Sequence, residues 1–277
     1  MARLFRYAPA LIVISLAATG ALWLYGHFGP AQVSARSSSL DRSAPSLDEA
    51  ALSSHIQSIT SNYKDLEISV SVTDLQSGKT YHWGETAGYT AASLGKVITA
   101  AAYLHTVETG QAHLNDDVGD ASARQQLTKL IEESDNDAWT ALNETLTDGG
   151  LQSYARSIGL TNYNPQDNTM TSNDITAVLS KLYQGSLLNK ADTTFLLSLL
   201  KNANMRDYIV SAVPSGTTVY HKVGYLDDRL NEAAIITRSG RSYVLAIFSK
   251  SDDSYDFSEG SQLFTAITRA SLTAFFP

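Results

Sequence analysis

The chain has 277 residues, a formal net charge of −8, six histidines and no cysteine. This composition excludes disulfide staples, and without a basic run it argues against nucleic acid as a partner. About 230 residues lie beyond the N-terminal segment, enough for one sizeable domain in one or two lobes.

Residues 8 to 26 form an apolar run without a charged side chain, preceded by Arg3 and Arg6. At about 1.5 Å of rise per residue such a run can span a bilayer core of ~30 Å, and the flanking arginines favour a cytoplasmic N-terminus. The expectation is a cytoplasmic segment over 1–7, a single-pass transmembrane signal anchor over 8–28, a Ser/Ala/Pro-rich flexible linker over 29–46 and an extracytoplasmic domain over 47–277. A cleaved signal peptide is the alternative, since Val33-Ser34-Ala35 supplies small residues at a usable processing point and would yield a secreted protein. With no cysteine nearby, a lipid-modified anchor is excluded.

Leu47 to Tyr63 carries apolar residues at helical spacing, with Ser46 placed to cap it. Glu67 to Leu75 alternates Ile68, Val70 and Val72 with Ser69, Ser71 and Thr73, and Gln76-Ser77-Gly78-Lys79 turns the chain into Thr80 to Gly84, which predicts a β-hairpin. From Ser93 to Thr109 the positions Val97, Ile98, Ala101, Ala102, Leu104 and Val107 recur at 3.6-residue spacing, so a buried helix is expected to begin at the serine and end at Gly110. Helical segments follow near 122–133, 137–147, 150–158, 172–184 and 191–201. Strands are predicted over Thr217 to Val223, Glu232 to Thr237 and Ser242 to Ser249, the last two joined by a Ser239-Gly240 turn, and an amphipathic helix closes the chain from Ser258 to Phe275. This order implies an α+β fold: an antiparallel sheet faced by the N- and C-terminal helices, with an all-helical lobe inserted, and a cleft where the lobes meet.

Three polar motifs fall at the lobe transitions: Ser93-Leu94-Gly95-Lys96, Ser134-Asp135-Asn136 and Lys222-Val223-Gly224. Serine with lysine three residues later also occurs at Ser61/Lys64 and Ser198/Lys201, about what composition alone gives. Only Ser93 begins a helix after a strand pair and precedes the chain's single Ser-Asp-Asn and single Lys-x-Gly. A serine hydroxyl needs a base to become nucleophilic. Lys96, three residues on along a helix, shares its face, and burial together with the nearby cation Lys222 would lower its pKa towards neutrality. Ser134-Asp135-Asn136 also reads as a helix N-cap before Asp137.

In this order the motifs resemble the serine β-lactamase and penicillin-binding protein superfamily, class A β-lactamases most closely, over roughly residues 47 to 277. The resemblance implies a β-lactamase-like serine hydrolase that forms an acyl-enzyme at Ser93 with a β-lactam or related amide and needs neither cofactor nor metal. It implies Lys96 as base, Ser134 as proton donor to the leaving nitrogen, and Lys222 as the group that holds Ser134 and attracts the substrate carboxylate. Asn136 would contact the substrate amide, and the backbone N–H groups of Ser93 and of Tyr225, just past Gly224, would form the oxyanion hole. Asp135 would be a buried structural acceptor.

Two departures qualify this. Val223 stands where the family has Thr or Ser and removes a carboxylate-binding hydroxyl, and no glutamate lies between Glu144 and Glu232 to activate a deacylating water. Asp167, the only carboxylate in the short stretch Leu160 to Met170, is the candidate substitute, against the plainer reading of a turn residue after Pro165. Asn168 could only orient a water, and Asp174 is expected to form a capping box with Thr171. Slow deacylation is therefore expected. A penicillin-binding D,D-peptidase acting on cell-wall peptides needs the same acylation groups without the glutamate, and a non-catalytic peptidoglycan- or antibiotic-sensing module is the reading from a different class. The histidines lack zinc-ligand spacing, and His221 is expected to face away from Lys222 along its strand. Tyr103, Trp139 and Tyr225 are either cleft-lining or core. Arg229 and Arg238 have the chemistry for a carboxylate partner. The protein is expected to act as a monomer.

Overall fold

The computed structural model describes residues 47–204 and 208–277. The anchor, the linker and the cytoplasmic segment expected over 1–46 lie outside these residues, as does Ser46. Among the described residues no helix is long and apolar enough to cross a membrane.

Helix α1 (Glu49–Thr60) is capped by Asp48, whose carboxylate accepts from Ala51 N at 2.9 Å. The β1 (Leu66–Asp74) and β2 (Thr80–Gly84) hairpin follows as the alternation requires. Strands β7 (Thr218–Leu226), β8 (Arg229–Arg238) and β9 (Arg241–Ser251) complete a five-stranded antiparallel sheet in the order β2-β1-β9-β8-β7. The β8–β9 turn is built on Ser239 and Gly240, both at positive φ (50° and 79°), the geometry that matches the twist of a tight hairpin. Because β9 returns to pair with β1 from Leu66↔Ser251 to Asp74↔Tyr243, β7 is left at the sheet edge.

The alternation in β1 sorts the two faces. Val70 and Val72 join Leu52 and Ile56 of α1 and Leu263, Phe264, Ile267 and Phe275 of the closing helix α9 (Phe257–Phe275) in one apolar cluster. On the other face Ala233, Ile235, Val244, Ala246 and Phe248 pack with the inserted helices in a second cluster. These helices are α2 (Gly95–Glu108), α3 (Ala123–Thr128), α4 (Asn136–Leu146), α5 (Asp148–Ser157), α6 (Ser172–Tyr183) and α7 (Lys190–Lys201). A short helix α8 (Tyr208–Ala212) precedes β7.

The two-residue strands β3 (Tyr89–Thr90) and β6 (Thr169–Met170) pair with each other, as do β4 (Asp117–Val118) and β5 (Ala121–Ser122). The segment expected to be helical over 122–133 is α3 followed by a π-turn at Lys129–Glu133. Thr171 and Asp174 form the expected capping box at α6.

Candidate active site

Ser93 lies in a single 3-10 turn, Ala92–Leu94, that runs directly into α2, so the regular helix begins at Gly95 rather than at the serine. Ser93 is half-buried. The turn is clamped from two sides. Asn168 accepts from Ala91 N through its backbone carbonyl at 2.7 Å and donates its side-chain N–H to Ala92 O at 2.9 Å. From the sheet, Gly224 of β7 approaches so closely that an added Cβ would stand 2.7 Å from Ser93 N and 2.8 Å from Ala91 O. Only a glycine admits that approach, because the atoms it meets are backbone. Asn231, across from Gly224 on β8, donates to Thr90 O at 3.0 Å and fixes the strand entering the turn.

Ser134 follows the π-turn, and π-turns inside helical segments recur at functional sites. It adopts the left-handed conformation (φ 56°). Ala92 and Asn168 do the same (φ 49° each). Residues other than glycine cost on the order of 1–3 kcal/mol each in this region; Ala92 and Asn168 meet at the serine turn, and Ser134 meets the two buried lysines.

Lys96 and Lys222 converge on Ser134. The Lys96 Nζ donates to Ser134 O at 2.5 Å and to Asn136 Oδ1 at 2.7 Å, and lies 3.3 Å from Ser134 Oγ. Lys222 Nζ donates to Ser134 Oγ at 2.9 Å and to Val223 O at 3.0 Å. Both lysine side chains are almost wholly removed from solvent, at 0% and 1% exposure. Burial pushes Lys96 down to about 8, against the pull of Asp135. Burial first, and then the charge of Lys96, push Lys222 to about 7, with Glu232 acting in the opposite direction. Such values put a neutral amine within reach at ordinary pH, as a lysine base requires.

Asp135 caps α4, accepting from Ala138 N at 2.7 Å. It is half-buried, and the capping oxygen comes from this middle residue rather than from Ser134 or Asn136. That assignment leaves Ser134 Oγ for Lys222 and Asn136 Oδ1 for Lys96. Gly224 and Tyr225 follow Lys222 along the edge strand; the Tyr225 ring is 40% exposed and packs edge-on to Phe257.

Asp167 is exposed, and its carboxylate accepts from Asn164 Nδ2 at 2.7 Å within its own turn. Asn168 is the member of that loop that reaches the serine turn, and its Oδ1 is buried without a hydrogen-bond partner. Val223 is buried in the apolar cluster on the α9 side of the sheet. Arg229 is held by Asp228 through two hydrogen bonds, and Arg238 sits at the far hairpin beside Ser239. His221 is buried and faces Glu232, Nδ1 to Oε1 at 2.9 Å, while Glu232 Oε2 accepts from Ile209 N at 2.8 Å. Tyr103 is core, at 1% exposure. Sequence reasoning missed Asn231 and the role of Gly95, whose added Cβ would overlap Asn168 Oδ1 and stand 3.3 Å from the Trp139 ring. A glycine inside an otherwise regular helix pattern was the available signal.

A family model described as "Beta-lactamase enzyme family" matches residues 51–275. Among solved structures, a variant of PBP-A described as an acyl-enzyme complex with penicillin G is 22% identical with a TM-score of 0.75, covering 82% of this chain and 96% of that one. A beta-lactamase from Xanthomonas campestris is 20% identical, with a TM-score of 0.75 and coverage of 80% and 97%. An ancestral class A beta-lactamase is 22% identical, with a TM-score of 0.74 and coverage of 81% and 100%. No curated protein matches the sequence.

Proposed function

The chain belongs to the beta-lactamase enzyme family, and we propose that it is a serine acyl-transfer enzyme that forms an acyl-enzyme at Ser93 with a β-lactam or related amide and releases it slowly. The observation that carries this reading is the pair of buried lysines meeting at Ser134, with Lys222 Nζ 2.9 Å and Lys96 Nζ 3.3 Å from its hydroxyl. Neutral Lys96 takes the Ser93 proton as Oγ attacks the carbonyl carbon. The oxygen that becomes negative is received by the N–H groups of Ser93 and Tyr225, a reading supported by the close approach of Gly224, the residue before Tyr225, to Ser93 N. As the carbon–nitrogen bond breaks, Ser134 Oγ gives its proton to the leaving nitrogen and recovers one from the lysine pair. Asn136, exposed beside Lys96, offers its amide to the acyl side chain.

Slow release follows from what faces the serine turn. Asp167 is directed into its own loop, and the group that does reach the turn, Asn168, is an amide that cannot accept a proton from water. This balance favours a penicillin-binding D,D-peptidase acting on cell-wall peptides as the second reading, and the PBP-A likeness supports it at the level of fold. With 8–28 as a single-pass anchor, the domain works outside the cytoplasm; secretion after cleavage is the alternative, and the mass of the mature N-terminus decides between them.

The test is the intact mass of residues 47–277 followed over time after adding a penicillin, with Ser93→Ala as control. A Ser93-dependent adduct that persists for minutes or longer supports the proposal. Rapid turnover that survives Asn168→Ala and Asp167→Ala refutes slow release, and the absence of any adduct refutes the β-lactam as acyl donor.

A further inference from the structure

Lys96 has to be held still in a dry place, and its hydrogen bonds to Ser134 and Asn136 do only part of this. The Trp139 ring covers the ammonium with its face, Nζ lying 5.1 Å from the ring centroid. The indole N–H donates to Thr99 Oγ1 at 2.9 Å, and Thr99 Oγ1 in turn donates to Asn143 Oδ1 at 2.9 Å. The spacing makes this an interlock. Gly95 and Thr99 are four apart on α2, and Trp139 and Asn143 are four apart on α4, so each pair lies along one face of its helix. Gly95 leaves the room that the indole fills, with an added Cβ only 3.3 Å from Trp139 Cζ2. Thr99 is fully buried, so its hydroxyl is fixed by these two partners.

We propose that Trp139 is a positioning residue of the acyl-transfer site, clamped by Thr99 and Asn143 so that its ring face sets where the Lys96 amine and its lone pair point. When Lys96 is neutral it still has two N–H groups, which Ser134 O and Asn136 Oδ1 accept. The electron-rich ring face repels a lone pair, so the lone pair turns away from Trp139, as the proposed removal of the Ser93 proton requires. When Lys96 is charged, the same ring face stabilises the ammonium. The other charged groups acting on it are Asp135, at the start of α4, and Lys222, on β7.

This inference deepens the proposed acyl transfer and depends on it for only one of two measurements. The first is a 13C NMR titration of the Lys96 ε-carbon in lysine-labelled protein, assigned with Lys96→Met. Trp139→Leu is expected to lower the Lys96 midpoint by about one pH unit, because it removes the ring face and keeps an apolar cover. The second is the rate of Ser93 acylation by a penicillin. Trp139→Leu and Thr99→Val are expected to slow it, by about a hundredfold and about tenfold, and Trp139→Phe, which keeps a ring face, to recover at least tenfold over Leu. A midpoint that stays or rises in folded Trp139→Leu protein overturns the inference. So does an acylation rate that falls equally in the Phe and Leu variants. If the unmutated protein takes no penicillin adduct, the acyl-donor assignment fails and the titration alone still decides the role of Trp139.

Discussion

Gly224→Ala is the sharpest single test of the proposed oxyanion hole. The new methyl carbon would stand 2.7 Å from Ser93 N, 2.8 Å from Ala91 O and 3.1 Å from Ala92 Cβ. Non-bonded carbon contacts settle near 3.5 Å, so β7 and the serine turn must separate by about 0.7–0.8 Å. Neither side yields by side-chain rotation. The turn is tied to Asn168 through Ala91 N and Ala92 O, and β7 is held to β8 along its whole length, from Thr218↔Thr237 to Leu226↔Arg229. In the proposed oxyanion hole one donor, Ser93 N–H, belongs to the turn and the other, Tyr225 N–H, to β7, so a separation of the two segments would part the donors. Donors work within about 2.7–3.1 Å of the oxyanion. A separation of that size therefore takes one of them out of range, and acylation should fall about 10²–10³-fold, the cost of one lost donor. Overpacking should cost about 1–3 kcal/mol, a drop of several degrees in Tm for a domain of this size. The assay is stopped-flow acylation with a chromogenic β-lactam beside thermal unfolding. A variant with lowered Tm that is acylated within threefold of the parent rate would refute the placement of the hole between Ser93 and Tyr225.

Further outcomes follow from the same geometry. Acylation should rise with pH through apparent midpoints near 7 and 8, the values to which Lys222 and Lys96 are lowered; they belong to the pair rather than to either residue, and a flat profile from pH 6 to 9 would contradict a lysine base. A lysine depressed in the folded state binds fewer protons there than in the unfolded chain. Stability should therefore climb with pH from about 7 towards 10.5, and the full penalty should apply below about 7; Lys222→Met should flatten that slope in a pH series of denaturant melts. Asp135→Ala removes the α4 cap and should cost about 0.5–2 kcal/mol, with acylation falling as well because Ser134 and Asn136 flank the cap; a loss of stability with unchanged acylation would uncouple the two. Asp167→Ala should leave the lifetime of the acyl-enzyme within twofold, read by the decay of the mass adduct, since its carboxylate is engaged by Asn164.

What was legible in the sequence is what short-range chemistry encodes. The 3.6-residue spacing from Val97 to Val107 gave α2, and alternation from Ile68 to Val72 gave β1. Thr171 and Asp174 announced their capping box, and Ser239-Gly240 its turn. The three motifs are read from order and context, and the side chains of Lys96, Ser134, Asn136 and Lys222 converge: Lys222 reaches Ser134 across 88 positions and Lys96 reaches it across 38. What escaped was set by contacts between distant segments or by elements too short to have a period. Nothing in Tyr89–Thr90 or Thr169–Met170 distinguishes a strand from a loop, yet their pairing carries Asn168 to the serine turn, 76 residues away in the chain. Asp167 drew attention as a carboxylate, but its loop position favoured a local partner. Asn168, one residue further, bends into the left-handed region and reaches inward. The capping preference at Ser134-Asp135-Asn136 was also underdetermined, because all three residue types cap helices well.

The choice of Asp135 as cap has a physical consequence for the site. Had Ser134 supplied the capping oxygen, its hydroxyl would have been committed to a backbone N–H and turned away from Lys222, which the proposed proton transfer needs beside it. Had Asn136 done so, Lys96 would have lost an acceptor that fixes its amine. With Asp135 in that role, the π-turn and the left-handed Ser134 rotate the neighbours outward, one towards each lysine. The strain of that conformation, on the order of 1–3 kcal/mol, is offset by a cap worth a comparable amount. The same three residues thus end one helical segment, begin another and link two buried amines, and the proposed chemistry depends on which of the three is spent on structure.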